Sequence, residues 1–185
     1  MSVRRIYVEK KPEYAVRAGE LFEDIKTYLG ISGIARVRVL VRYDIENIED
    51  STYAKARGTI FSEPPLDLLY EEDFPRESGD LVFSAEYLPG QFDQRADSAE
   101  QCVRLIDKDA AVLIRTATTY VLSGKLDERE LKAIKNFCIN PVDSRECAEE
   151  KPATLSQNFP APEDVKTVEG FVDMPENEFR ELYAS

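Results

Sequence analysis

The feature of this sequence that most constrains its fold is an internal repeat. When the chain is aligned with itself at an offset of 77 residues, the two halves match without a gap. The patterns of apolar and polar residues agree along with the identities, which favours a duplication over chance similarity between two stretches with the same order of elements. The identical residues are Glu9, Pro12, Glu23, Arg38, Tyr43, Asp50, Lys55, Ala56 and Pro64, aligned with Glu86, Pro89, Glu100, Arg115, Tyr120, Asp127, Lys132, Ala133 and Pro141.

Each half predicts a strand, a helix, a second strand and a second helix, followed by a short extended tail. The first strands, residues 4–9 and 81–87, end shortly before aligned prolines. The first helix of each half is indicated by small and apolar residues at spacings of three and four. These residues are Ala15, Ala18, Phe22, Ile25 and Leu29 in the first half, and Ala96, Ala99, Cys102, Val103 and Ile106 in the second.

A strict alternation marks the second strand of the first half. Its valines at 37, 39 and 41 point one way with Tyr43, and Arg36, Arg38 and Arg42 point the other way. The simplest interpretation places the three arginines on the outer face of a sheet. The aligned strand carries β-branched residues, which suit a pleated surface.

The second helix of each half is expected to begin at an aspartate that acts as its N-cap, Asp50 or Asp127. The helices are expected to end near Phe61 and Cys138, before the aligned prolines that follow. Because Cys102 and Cys138 lie within helical apolar patterns, both are predicted to be small core residues.

The predicted fold class is α+β, with two tandem βαβα repeats at residues 3–73 and 80–147. One repeat of about 70 residues buries too little surface to be stable alone, so we expect the antiparallel sheets of the two repeats to pack as a pseudo-two-fold fused dimer within a domain at 1–150. Residues 151–164 form a predicted proline-rich linker. Residues 165–185 are expected to begin a helical linker domain that the sequence truncates, with Asp173 as the N-cap of a helix and Pro175 in its first turn.

Composition excludes several classes of function. A net charge of −12, with dispersed basic residues, disfavours nucleic acid and anionic membranes as partners. The chain has no histidine, so it holds no Ser-His-Asp triad and no histidine metal ligand, and its three cysteines lack CxxC spacing. No glycine-rich nucleotide motif is present. We therefore expect no catalytic residue, metal or cofactor in this segment, and a cytoplasmic location in the absence of a signal peptide or membrane span.

Residues 88–98 have the most chemical content of any loop. They connect a predicted strand to a predicted helix, where backbone N–H groups are free to bind an anion. Gly90 allows close approach of the backbone, Arg95 offers a guanidinium fork, and Ser98 offers a hydroxyl. The alternative is a capped loop in which Asp93 or Asp97 serves its own helix.

Residues 140–146 form a second polar cluster. Its side chains can dock a neighbouring domain or face a ligand, and the alternative is an ordinary loop at the end of a helix. The acidic run at 70–73 is best interpreted as a solvated connector, because contiguous carboxylates in a strand splay apart and do not converge on a cation.

Four segments carry a resemblance to a known family. The chain resembles the start of the large, single-chain phosphoribosylformylglycinamidine synthase, and the last two segments are the most specific. In that family the amino-terminal domain looks like two fused copies of the small subunit of multi-subunit enzymes, which agrees with the repeat. The segments are residues 4–12 (RRIYVEKKP), 39–47 (VLVRYDIEN), 86–98 (EYLPGQFDQRADS) and 138–146 (CINPVDSRE).

The resemblance implies a non-catalytic structural module for a ligase of purine biosynthesis. The family converts formylglycinamide ribonucleotide, ATP and glutamine to the amidine, using ATP and Mg²⁺ in a synthetase region and a Cys-His glutaminase domain; neither region is present in this chain. The module is expected to brace those regions as its partners. A stand-alone module that binds small molecules is the alternative. The implied substrate-binding residues are Gly90, Gln91, Asp93, Arg95 and Ser98, and the implied domain-interface residues are Asn140, Asp143, Ser144 and Arg145.

Overall fold

The computed structural model describes residues 2–156 and 170–184. The first half of the chain contains β1 (Arg4–Lys10), α1 (Val16–Thr27), β2 (Ile34–Glu46), α2 (Asp50–Ala56) and β3 (Asp67–Glu71), with a π-helical turn at Arg57–Phe61. The second half contains β4 (Leu81–Tyr87), α3 (Gln94–Ile106), β5 (Leu113–Gly124), α4 (Glu128–Cys138) and β6 (Ser144–Cys147). A last helix, α5 (Glu176–Ala184), begins directly after Pro175.

The strands form one antiparallel sheet of six strands in the order β3-β1-β2-β5-β4-β6. The predicted α+β class is confirmed. The halves are joined differently from the expected packing of two sheets, because β2 and β5 pair directly and make a single continuous sheet. The extended tails of the two halves form its edge strands, β3 and β6.

The strand registers of the two halves are the same once 77 is added to each residue number. The pair Arg4–Ile45 between β1 and β2 corresponds to Leu81–Leu122 between β4 and β5. At the edges, Tyr7–Tyr70 corresponds to Ser84–Cys147. In the central pair, Val41 lies opposite Thr118, which is the residue 77 positions later.

All of the helices in residues 2–156 cover one face of the sheet, termed the helix face. Helices α2 and α3 pack over the end of β2 and the start of β5, in a cluster that includes Tyr53, Val103 and Ile114. Helices α1 and α4 pack over the opposite ends of these strands, where Ile25 and Ile134 are fully buried. Each cluster thus contains one helix from each half.

Two extended segments cover the other face of the sheet. Residues 72–80, the first strap, follow β3 and place Phe74 against Tyr7, Leu40 and Val121. Residues 148–156, the second strap, follow β6 and bury Leu155. The interpretation of the arginine row as an outer surface is therefore wrong for Arg42, which is 5% exposed beneath the second strap.

The second strap covers a cluster of buried charges. The Arg5 guanidinium donates to both carboxylate oxygens of Asp44, at 2.6 and 2.8 Å, and to the carbonyl of Glu149. Arg42 donates to the carbonyl of Ala148 at 3.1 Å. Burial opposes the charge of Arg5, but its hydrogen bonds with Asp44 and the attraction of that carboxylate raise its pKa.

Two further predictions about local structure need correction. Cys102 is exposed, because the buried face of α3 is formed by Ala96, Ala99 and Val103. Asp50 is the first residue of α2 and not its cap, and it pairs with Arg4. Asp127 is an N-cap as predicted and forms a capping box with Glu130. Most of the predicted linker and the start of the predicted helical domain, residues 157–169, lie outside the described residues.

Candidate functional site

The two loops predicted from the sequence to carry function lie side by side. Tyr87 and Ser144 are opposite each other at the ends of β4 and β6, and the Leu88 N–H donates to the carbonyl of Asp143 at 2.8 Å. The fold therefore brings together residues 88–93 and 139–143, termed the loop pair. The sequence predicted each loop separately and gave no signal that they are neighbours.

One predicted substrate-binding residue is hydrogen-bonded within the chain, and the other four are exposed. The hydrogen-bonded residue is Asp93, whose carboxylate accepts from the Ala96 N–H at 2.9 Å and from the N–H and hydroxyl of Thr116 at 3.0 and 2.8 Å. It caps α3 and ties that helix to β5, as the alternative interpretation of this loop expects. The remaining four residues, Gly90 (in a turn with φ of +90°), Gln91, Arg95 and Ser98, are exposed.

The predicted domain-interface residues are held mainly by local bonds. Asn140 donates to the Asp143 carboxylate at 3.2 Å, and its carbonyl accepts from the Ser144 hydroxyl at 2.9 Å. Arg145 donates twice to one carboxylate oxygen of Glu86, at 3.0 and 2.8 Å. These bonds fix the shape of the loop.

Exposed apolar side chains surround the loop pair, and the sequence reasoning did not identify them. Tyr87, Phe92 and Val142 are 48%, 69% and 77% exposed. A phenylalanine in the middle of the polar segment 88–98 is the signal that could have revealed this surface. Large exposed apolar groups on one side of a domain are typical of a surface that another protein covers.

A cleft with a volume of about 1080 Å³ opens beside the part of β2 before Leu40, which lies beyond the end of its pairing with β1. Its apolar wall includes Phe22, Val41 and Ile60, and its cationic groups include Arg17 and Arg95. Arg17 donates to the hydroxyl of Tyr120 at 3.3 Å. Arg95 makes no hydrogen bond or ion pair with the residues that the structure describes. The cleft joins Arg95 to residues of the first half, which the 88–98 segment alone could not reveal.

A second set of polar groups lines the cleft on the face of the sheet that the two straps cover. Arg38 donates to both carboxylate oxygens of Glu9 at 2.7 Å, and the Tyr70 hydroxyl donates to the same carboxylate at 3.3 Å. The hydrogen bonds with Glu9 raise the pKa of Arg38, and burial raises the pKa of Tyr70. Both groups keep their protons at neutral pH, and Arg38 and Glu9 form a part-buried ion pair.

The cysteines have little nucleophilic character where they are buried. Burial raises the pKa of Cys138 to about 11, and burial also raises the pKa of Cys147, although Arg42 donates to its sulfur at 3.2 Å. Across residues 2–156 and 170–184, no three acidic or cysteine side chains converge as the ligands of a metal ion would. None of the described helices combines the length and apolar character needed to cross a membrane.

No protein-family model matches this chain, and no curated protein matches it.

Proposed function

We propose that this chain is a non-catalytic structural module of a phosphoribosylformylglycinamidine synthase, formed by two fused copies of one small unit. The proposal combines the sequence resemblance with the architecture described above. Such a module would serve a cytoplasmic ligase that uses ATP, Mg²⁺ and glutamine, with both catalytic regions supplied by other parts of the enzyme. Its two halves would be related by a pseudo-two-fold axis.

The observation that carries the proposal is the repetition of strand register. Two pairings of the first half, β1 with β2 and β1 with β3, recur in the second half as β4 with β5 and β4 with β6 after a shift of 77 residues. Val41 lies opposite Thr118, its own counterpart, so a two-fold axis through that pair would exchange the halves. A fused pair of small subunits requires this arrangement, and a chance similarity of element order does not.

The proposed role is to brace the synthetase and glutaminase regions and to keep ammonia from escaping between their active sites. The loop pair supports this role, because Tyr87, Phe92 and Val142 leave an apolar surface exposed beside polar groups of fixed geometry. An apolar centre with a polar rim is the usual anatomy of a protein interface. The predicted interface residues Asn140, Asp143, Ser144 and Arg145 would form part of that rim.

We also propose that the exposed residues of the 88–98 loop contribute to the substrate cleft of the enzyme. Arg95 has the guanidinium needed to pair with a phosphate. In the complete enzyme, Arg95→Ala is then expected to raise the KM for formylglycinamide ribonucleotide while leaving the unfolding midpoint unchanged. Arg129→Ala, which removes an exposed arginine from α4, is the matched control. An unchanged KM in the Arg95 variant would remove this part of the proposal.

Reconstitution tests the whole proposal. The chain is mixed with a synthase polypeptide that lacks its amino-terminal module, and amidine formation from ATP and glutamine is measured. Activity is expected only in the mixture. A Phe92→Ser, Val142→Ser variant should associate more weakly, whereas Leu105→Ser, at an apolar side chain that is 83% exposed at the far end of α3, should not. Full activity without the chain, or no association, would overturn the proposal.

The cleft favours a second candidate function, a stand-alone module that binds a small molecule. Its volume is at the upper end of the range for small-molecule sites, about 300–1000 Å³, and its wall combines apolar and charged groups. Calorimetry with amino acids and purine nucleotides separates the candidates, because a scaffold without a ligand should release no saturable heat.

A further inference from the structure

The central strands, β2 and β5, each have a stretch of residues with a strand partner on one side only. We term this stretch the free edge of the strand. Strand β1 pairs with β2 only as far as Glu9 and Leu40, and β4 pairs with β5 only as far as Glu86 and Ala117. Beyond these points β2 and β5 pair only with each other. In an antiparallel sheet, alternate residues direct their N–H groups to opposite neighbours, so every second residue of each free stretch directs its N–H away from the sheet.

The free edge of β5 is satisfied by carboxylates from α3. Glu100 accepts from the Ile114 N–H at 2.9 Å, and Asp93 accepts from the Thr116 N–H at 3.0 Å. Two neighbouring donors that have lost their strand partner are thus each paired with an anion. This is the expected solution for backbone donors that are withdrawn from water.

The corresponding edge of β2 has no such acceptors. The residues at the same register are Val37 and Val39, and no side chain in the described part of the chain accepts from their N–H groups. The position that matches Asp93 is Val16, which is 66% exposed and has no acceptor. The position that matches Glu100 is Glu23, whose side chain is exposed. Val37 and Val39 both line the cleft, and Val37 is buried.

Two cationic side chains, Arg17 and Arg95, line the same cleft as these donors. The hydroxyl of Tyr120, which accepts from Arg17, belongs to the residue directly opposite Val39 in the sheet. Arg95 lines the same cleft from α3. The carboxylates of the cleft are mostly neutralised, since Glu9, Asp67 and Glu77 pair with Arg38, Lys10 and Arg36, and Glu63 remains.

We infer that the cleft binds a small organic anion, whose carboxylate or phosphate accepts from the N–H group of Val37 or of Val39, with Arg17 and Arg95 lining the same cleft. The anion occupies a place that corresponds to the carboxylate of Asp93 or of Glu100 in the other half. The apolar wall at Phe22, Val41 and Ile60 receives the body of the ligand. The site rests on the second candidate function, the small-molecule module, and names its ligand class. Reconstitution tests the synthase role, and titration of the isolated chain tests this site, so the two can fail independently.

The test is an NMR titration of the ¹⁵N-labelled chain. Phenyl phosphate and phenylacetate are the probes, compared with inorganic phosphate, acetate and neutral 2-phenylethanol. Saturable shifts of the Val37 and Val39 amides are expected with both aromatic anions, more weakly with phosphate and acetate, and not with the neutral alcohol. No saturable shift at either amide, or an equal response to the alcohol, would overturn the site.

Variants assign the donors and the charge. Arg17→Gln with Arg95→Gln should weaken phenyl phosphate binding by about tenfold or more, since each guanidinium would donate a charge-assisted hydrogen bond to the anion. Arg129→Gln is the control and should bind as the parent does. Val16→Asp should shift the Val39 amide without any ligand and abolish binding, because its carboxylate then takes the place of the anion. Unchanged binding in both the double variant and Val16→Asp would contradict the proposal.

Discussion

The first and second straps begin at corresponding points, directly after β3 and β6, yet they differ in the groups that contact the sheet most. The first strap inserts the ring of Phe74 among Tyr7, Leu40 and Val121, and its Pro75 carbonyl accepts from Arg38 at 2.6 Å. The second strap uses its backbone, and its carbonyls accept from Arg5 and Arg42 while the Leu155 N–H donates to Glu46 at 2.7 Å.

The sheet residues beneath the two straps also differ in charge. The charged side chains at positions 5, 42, 44 and 46 lie under the second strap, and the residues 77 positions later are uncharged. An apolar patch is covered by a ring, and a charged patch is covered by a hydrogen-bonding backbone. The same backbone fold therefore accepts either kind of strap, provided that the strap and the sheet residues beneath it differ together. The uncharged residues are Val82, Thr119, Val121 and Ser123.

The largest effect is expected from breaking the charged patch. Asp44→Ala leaves Arg5 and Arg42 buried without their shared counter-charge, which should lower the free energy of unfolding by about 3–5 kcal/mol. Urea denaturation at neutral pH measures this loss. Asp50→Ala, which removes the exposed partner of Arg4, is the control and should cost about 0–1 kcal/mol.

A second variant replaces three residues of the charged patch with the uncharged residues at the matching positions of the other half. The triple variant Arg5→Val, Arg42→Thr, Asp44→Val removes both arginines together with their shared counter-charge, so no arginine is left buried without Asp44 and the variant should be more stable than Asp44→Ala. If the triple variant is instead the less stable of the two, the hydrogen bonds from the arginines to the strap carbonyls outweigh the cost of burying those arginines without Asp44.

Removing the ring of the first strap is expected to have the next largest effect. Phe74 is 4% exposed and makes an edge contact with Tyr7, with ring centroids 4.7 Å apart. Phe74→Ala should therefore lower the free energy of unfolding by about 3 kcal/mol, measured by the same denaturation. Phe92→Ala removes an equal side chain from an exposed loop and should change stability by less than about 0.5 kcal/mol. Equal losses in the two variants would show that the first strap is not anchored by its ring.

The smallest effect is a dependence on pH through Glu46, the carboxylate that the second strap contacts. The hydrogen bond from the Leu155 N–H lowers the pKa of Glu46 below its ordinary value of 4.5, with burial opposing the shift. The contribution of this bond is therefore complete above pH 4.5 and is lost as the pH falls toward the lower folded pKa. Glu46→Gln should be less stable than the parent at neutral pH, and the difference should shrink on acidification.

Measurement of the unfolding free energy against pH, for the parent and for Glu46→Gln, checks this prediction. A difference that stays constant down to the acid limit would show that Glu46 is not linked to the second strap through its ionised form.

Local signals in the sequence predicted much of the fold. The spacing of Ala96, Ala99 and Val103 identified the buried side of α3, and Asp127 with Glu130 identified the start of α4. Alternation correctly separated the two faces of β2. These signals depend on neighbours within a few positions, where helix and strand geometry alone decides which side chains share a face.

The contacts that the sequence did not predict join residues far apart in the chain. Arg42 and Ala148 are separated by 106 positions, and alternation cannot say which segment will cover a polar face. The loop pair depends on the pairing of β4 with β6, and the cleft depends on where β1 stops. Cys102 fell outside the core because the apolar stripe of α3 is narrower than its composition suggests.

The direct pairing of β2 with β5 has a consequence for how the molecule responds to dilution. Two separate units that met along this edge would dissociate as their concentration fell. In this chain the partners of the central pair, such as Val41 and Thr118, are tethered covalently, so their effective concentration is fixed by the connecting segment. Unfolding midpoints and refolding rates should therefore be the same at every protein concentration. The rates should be slow for a chain of this size, because the central contacts close long loops.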